Sequence, residues 1–145
     1  MKGHCQCKAV TLEIADTKKL HACHCGICRR LSNGGPSFTI TCDKNPISQG
    51  HDMVQHYASS EWAERGFCQQ CGTPLYYHLL GTEQYFVSVG LFQENQEFEI
   101  NSQIFIDDKP DFYTLANQTP MLTGEEVMAM YSNDTPISSS SLTNS

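Results

Sequence analysis

The sequence predicts a mainly β domain with a short C-terminal helix. Short apolar stretches with two-residue alternation recur along the chain, separated by Gly, Pro, Asn and Asp turn signals. Tyr, Phe and Val, which favour strands, concentrate between residues 75 and 91. Cysteines fall in pairs at spacings suited to metal-linked turns.

In chain order, Gly3 to Ala15 reads as one strand, with Val10, Leu12 and Ile14 on alternate positions, and Asp16 to Lys19 is a polar turn. Leu20 to Cys25 is extended. A short helix through Cys28, Arg29, Arg30 and Leu31 stops at Ser32-Asn33-Gly34-Gly35-Pro36. Phe38 to Cys42 alternates as a strand, and Asp43 to Gly50, with Pro46, is a loop. Val54 to Ala58 and Ala63 to Phe67 flank a Ser59-Ser60 turn. Leu75 to Leu80 and Tyr85 to Leu91 flank the hairpin-like Gly81-Thr82-Glu83-Gln84. Ile104 to Ile106 is a last short strand before Asp107-Asp108-Lys109-Pro110. Thr123 and Glu126 form a capping box for a helix reaching Tyr131, with Val127, Met130 and Tyr131 on one apolar face. These elements form a single domain over residues 1–131, and the Ser/Thr/Asn-rich residues 132–145 read as a flexible tail.

A chain of 145 residues is the size of one domain, and a hydrophobic share of 39% gives it a modest core. A net charge of −7 argues against an extended nucleic-acid footprint and against an anionic membrane surface. The first residues, Met1-Lys2-Gly3-His4-Cys5, lack the apolar run of a signal peptide, and no stretch matches the roughly 20 apolar residues of a membrane span. The expectation is a reduced, cytoplasmic protein with no nucleic-acid or membrane partner. Its eight cysteines are then ligands or reactive thiols rather than disulfides.

The cysteines divide by spacing. Cys5-Gln6-Cys7 and Cys23-His24-Cys25 are C-x-C pairs, whose sulfurs share one face of a strand while His24 points away. Cys68-Gln69-Gln70-Cys71-Gly72 is a zinc-knuckle turn in which Gly72 supplies the left-handed residue. Cys5, Cys7, Cys68 and Cys71 make a complete four-thiolate set for a structural zinc clamping two distant parts of the chain. Cys23, Cys25 and Cys28 supply three ligands for a second zinc, as catalytic sites do when the fourth position is open. A closed second site would take its fourth ligand from His21, His24 or Cys42. Cys42 otherwise reads as a small buried hydrophobe.

These motifs resemble the glutathione-dependent formaldehyde-activating enzyme family, whose domain is shared with centromere protein V. The resemblance runs from Gly3 to about Pro120. It rests on Gly3-x-Cys5-x-Cys7, Cys23-His24-Cys25-x-x-Cys28-Arg29-Arg30, Gly50 and Ser59-Ser60. Arg65-x-Phe67-Cys68-x-x-Cys71-Gly72-Thr73-Pro74-Leu75, Gly90-x-Phe92 and Ile104-Phe105-x-Asp107-Asp108-Lys109-Pro110-Asp111 complete it. It implies the Mss4-like zinc-binding fold of small antiparallel β-sheets and two Zn2+ per chain, divided as the spacing divides them. Three departures stand out: Lys8 where the family has Gly, Phe92-Gln93-Glu94 for Asp-x-Pro, and Gln103 where His precedes Ile-Phe.

Zinc held by three thiolates is a poor generator of hydroxide and a good partner for a fourth, exogenous sulfur. With the resemblance, this implies a carbon–sulfur lyase that adds a glutathione-like thiol to a small aldehyde such as formaldehyde, giving an S-hydroxymethyl adduct, or the reverse. Arg29 and Arg30 are placed to offset the thiolate charge or to grip substrate carboxylates, unless they pair internally with Asp107, Asp108 or Asp111. His21, His24, Ser59 and Ser60 are candidate proton donors; Trp62, Tyr76, Tyr77 and Phe86 read as packing rather than a substrate platform. The competing reading is a non-catalytic zinc-binding or scaffold module, or a thiol–aldehyde binding protein, on the same fold.

Overall fold

The chain begins with a hairpin, not one long strand. In the computed structural model, which describes residues 1–94 and 97–134, β1 (Lys2–His4) pairs antiparallel with β2 (Thr11–Glu13). Between them Cys5 to Val10 folds into a turn, closed by Cys5 N–H to Val10 O at 3.0 Å and Lys8 N–H to Cys5 O at 3.1 Å. The turn bends through Lys8 at φ 66°. A side chain there costs roughly 1–2 kcal/mol, which gives a physical reason for a glycine at this position. Cys5 and Cys7 therefore meet across a turn rather than along one strand face.

The next strand is β3 (Lys19–Cys23), followed by α1 (Gly26–Leu31), β4 (Ser37–Cys42) and β5 (Ile47–Gln49). The loop expected over Asp43 to Gly50 contains β5, which pairs with β2 and completes a three-stranded sheet, β1-β2-β5. An antiparallel meander follows: β6 (Val54–Ala58), β7 (Ala63–Cys68), β8 (Pro74–Leu79) and β9 (Tyr85–Ser88). Val89 to Leu91 form one 3₁₀ turn instead of extending β9.

β10 (Glu99–Ile104) begins earlier than its apolar end suggested and runs parallel to β3 and to the two-residue β11 (Met121–Leu122). The large sheet, ordered β11-β10-β3-β4-β9-β8-β7-β6, is thus mixed rather than purely antiparallel. β10 ends at Ile104 rather than running on to Ile106, because Phe105 takes φ 54° and ψ 43° and leads into a 3₁₀ turn at Ile106–Asp108.

Register assigns the two faces of this sheet. Leu20, Ile40, Tyr76 and Val87 point toward the three-stranded sheet and form the main core with Val10, Leu12 and Leu91. Cys23, Ser37, Phe86, Tyr77 and Arg65 belong to the opposite face, where α2 (Gly124–Asp134) packs. Thr123 Oγ1 accepts from Glu126 N–H at 3.2 Å and Glu126 Oε1 accepts from Thr123 N–H at 3.0 Å, a complete capping box.

The packed face of α2 is Val127, Met128 and Tyr131, whereas Met130 is 51% exposed. At 100° per residue, Gly124, Val127, Met128 and Tyr131 share one side and Met130 falls outside it. Gly124 lies flat against the Phe105 ring, where a Cβ would come within 2.8 Å. Of the tail expected over 132–145, residues 132–134 continue α2 and 135–145 lie outside the described residues. Among the described residues no helix is long and apolar enough to cross a membrane.

Two glycines with similar backbones separate conformational strain from collision. Gly50 has φ 85° and a Cβ there would sit 2.1 Å from Ala9 O, while Gly81 has φ 81° and open space. Urea denaturation is expected to show Gly81→Ala costing about 1 kcal/mol and Gly50→Ala about 3 kcal/mol or more.

Candidate metal centres

The first cluster joins the two sheets. Cys5 and Cys7 come from the β1–β2 turn, Cys68 ends β7, and Cys71 lies in the β7–β8 turn; their four sulfurs all fall within 4.8 Å of one another. The Cys5–Cys7 and Cys7–Cys68 sulfur separations are 3.6 and 3.7 Å. A tetrahedron with 2.3 Å zinc–sulfur arms has edges of about 3.8 Å, so the donor set fits a thiophilic ion of that size. Thr73 Oγ1 accepts from Gln6 N–H at 3.1 Å and lies 3.1 Å from Cys71 Sγ, bridging the two turns. Gly72 takes φ 78° as the knuckle requires.

The second cluster is assembled where β3 gives way to α1. Cys23 is the last residue of β3. Cys25 is the N-cap of α1, its Sγ accepting from Cys28 N–H at 3.4 Å. The three sulfurs also lie within 4.8 Å of one another, and all eight cysteines are free of disulfides. Hydrogen bonds from Cys23 and Cys25, then Arg65, pull the Cys28 thiol down to about 3, while its bonds to Cys25 and Cys28 raise Cys23. Without a metal, one thiolate is thus shared among two thiols; an ion would replace both protons.

No described His, Cys, Asp or Glu completes this trio. His21 Nδ1 is 2.7 Å from Ser102 Oγ. Cys42 donates to Lys44 O at 3.1 Å inside the main core. His24 is fully buried, with Nε2 at 2.9 Å from Gln103 Oε1 and Nδ1 at 2.7 Å from the Tyr113 hydroxyl. Because Gln103 Nε2 faces Thr119 Oγ1 at 3.2 Å, its Oε1 is the acceptor. His24 therefore donates through Nε2 and accepts at Nδ1. Burial lowers its pKa and keeps the ring neutral. Both ring nitrogens are engaged in the fold, away from the sulfurs.

Among the three arginines, Arg65 is the one bonded to a sulfur. Arg29 donates to the backbone oxygens of His24 at 2.9 Å and Asp108 at 3.3 Å. Arg30 is exposed, and among the described residues neither pairs with the carboxylates of Asp107, Asp108 or Asp111. Arg65 donates from Nη1 to Cys28 Sγ at 3.7 Å and from Nε to Ser59 Oγ at 3.2 Å, and its guanidinium lies 4.7 Å from the Tyr77 ring centroid. The sequence hint for Arg65 was positional: it precedes Phe67-Cys68 on an alternating strand. What aims it at Cys28 is the cross-strand row Tyr57, Arg65, Tyr77, Phe86. Ser60 Oγ is buried.

Two openings meet at this cluster. A cavity of about 80 Å³ is lined by Cys23, Cys28, Ser37, Thr39 and Arg65, and by apolar side chains from β8, β9, β10 and α2. A larger groove of about 1190 Å³ shares Cys28, Arg65 and Tyr77 with it and includes Arg30 and Tyr57. Tyr77 and Phe86, expected only to pack, form walls of both and meet edge to face at 5.4 Å. Trp62 is a core residue, and Tyr76, buried on the core side, also borders the larger groove.

The architecture defines a β-rich domain with two cysteine clusters able to hold metal, one closed by four sulfurs and one with three. The family model for the glutathione-dependent formaldehyde-activating enzyme matches residues 1–108, and the chain belongs to that family. A Schizosaccharomyces pombe protein described as an uncharacterized lyase is 41% identical over 129 residues, covering 88% of this chain and 93% of that protein. The crystal structure of a Rhodobacter sphaeroides protein shares the fold with a TM-score of 0.55 at 24% identity, over 66% of this chain and 91% of the other.

The two clusters should respond differently to substitution. Native mass spectrometry after loading with Zn2+ is expected to show two ions in the wild type and one in both Cys68→Ser and Cys28→Ser. Cys68→Ser should lower the thermal midpoint far more than Cys28→Ser, since a four-thiolate site contributes on the order of 10 kcal/mol to folding.

Proposed function

We propose that the chain is a zinc-dependent carbon–sulfur lyase that joins a glutathione-like thiol to a small aldehyde, or cleaves the adduct. One observation carries the reading: three sulfurs without a fourth protein ligand among the described residues, beside Arg65 and open to a cavity and a groove. Family membership and the lyase description of the yeast relative support it. Cys5, Cys7, Cys68 and Cys71 hold the structural zinc, and Cys23, Cys25 and Cys28 hold the second. When bound there, the ion supplies a soft Lewis-acidic position that favours the thiolate form of a substrate sulfur.

The surrounding residues do the rest. Arg65 offsets negative charge at Cys28, the role expected for Arg29 and Arg30, while Arg29 braces the cluster by holding the His24 carbonyl. Arg30, exposed on the groove, is placed to meet a substrate carboxylate. The groove has room for a tripeptide-sized thiol, and the apolar cavity holds the aldehyde while excluding water. Close placement of the two reactants is the main source of acceleration. In the addition, a sulfur–carbon bond forms, the carbonyl π bond breaks, and the thiol proton ends on the carbonyl oxygen.

Exchange NMR on glutathione and formaldehyde tests this. The zinc-loaded wild type should speed adduct formation above the buffer rate, Cys25→Ser should return it to that rate, and Arg65→Gln should lower it about 10–100-fold. A wild type no faster than buffer would overturn the assignment.

A further inference from the structure

The cavity beside Cys23 and Cys28 is larger and more apolar than formaldehyde needs. Its volume of about 80 Å³ is near half that of a cavity that takes benzene, which leaves room for roughly three to five non-hydrogen atoms. Formaldehyde offers no carbon chain to an apolar wall. The walls include Leu79, Phe86, Ile104, Phe105, Val127 and Met128.

Cys23, Cys28, Ser37, Thr39 and Arg65 make the polar side of the same cavity. Arg65 uses Nε on Ser59 and Nη1 on Cys28, but its Nη2 is buried with no hydrogen-bond partner. That atom has no accessible surface, and the hydroxyls of Ser37 and Thr39, which line the cavity, are the groups placed to meet an occupant's carbonyl oxygen. Cys23 stands opposite Ser37 on β4, so sulfurs, guanidinium and hydroxyl gather together. An occupant with one carbonyl and a short alkyl chain satisfies both sides.

The wall that sets the length lies beyond the family match. That match ends at residue 108, whereas Val127, Met128 and Tyr131 come from α2. The helix is docked by specific contacts: its capping box, Gly124 against Phe105, and Gly124 N–H donating to Asp107 Oδ1 at 2.9 Å.

We propose that this cavity receives a short aliphatic aldehyde of about three or four carbons, with its carbonyl on the side lined by Cys23, Ser37, Thr39 and Arg65 and with α2 setting the accepted length. The proposal rests on the thiol–aldehyde reading and narrows its substrate class. The bonds made and broken are the same as for formaldehyde, with the thiol proton ending on the carbonyl oxygen.

Two measurements on the zinc-loaded full chain test it. In the first, propionamide and formamide, unreactive counterparts of propanal and formaldehyde, are titrated against the ¹³C ε-methyl signal of Met128. Propionamide should give a saturable shift, with affinity falling about fourfold for each methylene removed. In the second, kcat/KM with glutathione is measured from formaldehyde to hexanal. It should rise to butanal and fall at hexanal. Val127→Phe should cut the butanal-to-formaldehyde ratio about tenfold or more, and Val127→Ala, which needs no new space, should move the preferred chain longer. Preference for formaldehyde with no saturable propionamide shift would overturn the proposal and leave the thiol–aldehyde reading standing. Failure to turn over any aldehyde above the buffer rate would overturn that reading and the proposal with it.

Discussion

Thiolates gathered within 4.8 Å of one another cannot all ionise unless a cation shares their charge. The fold is arranged around that constraint. At one cluster the sulfurs come from the β1–β2 and β7–β8 turns, so the same ion that neutralises them would fasten the small sheet to the large one. The main core between the sheets is modest, and a four-thiolate site adds a tie that apolar burial alone does not give.

The second cluster answers the same constraint incompletely. Its three sulfurs are held on one short segment by β3 and the α1 cap, and every nearby histidine is committed elsewhere in the fold. Arg65 supplies the remaining positive charge from across the sheet. A closed site and an open one therefore differ by a single donor, and the open one faces the two cavities.

Much of this was legible because cysteine spacing is local information. The division into Cys5/Cys7/Cys68/Cys71 and Cys23/Cys25/Cys28 follows from pairs that the chain presents together, and the structure gathers those same sulfurs. The Thr123–Glu126 capping box is equally local and forms as read. What escaped depends on long-range register. Arg65 reaches Cys28 only because β7 and α1 meet on one sheet face, a relation that no spacing encodes. The strand expected over residues 3–15 is broken between His4 and Thr11, where Cys5 to Val10 form a turn although alternation suggested continuity. Met130 was misplaced on the packed face because the helix turns toward Gly124 and Phe105, a contact set by the left-handed Phe105.

A metal position closed by four sulfurs and one with room for an exogenous sulfur should respond differently to a free thiol. Loading the protein with ¹¹³Cd and titrating glutathione reads both positions at once by NMR. The account predicts two resonances, one unmoved and one shifting as glutathione binds, with the shifting signal absent in Cys28→Ser. Two resonances that both ignore glutathione would contradict it.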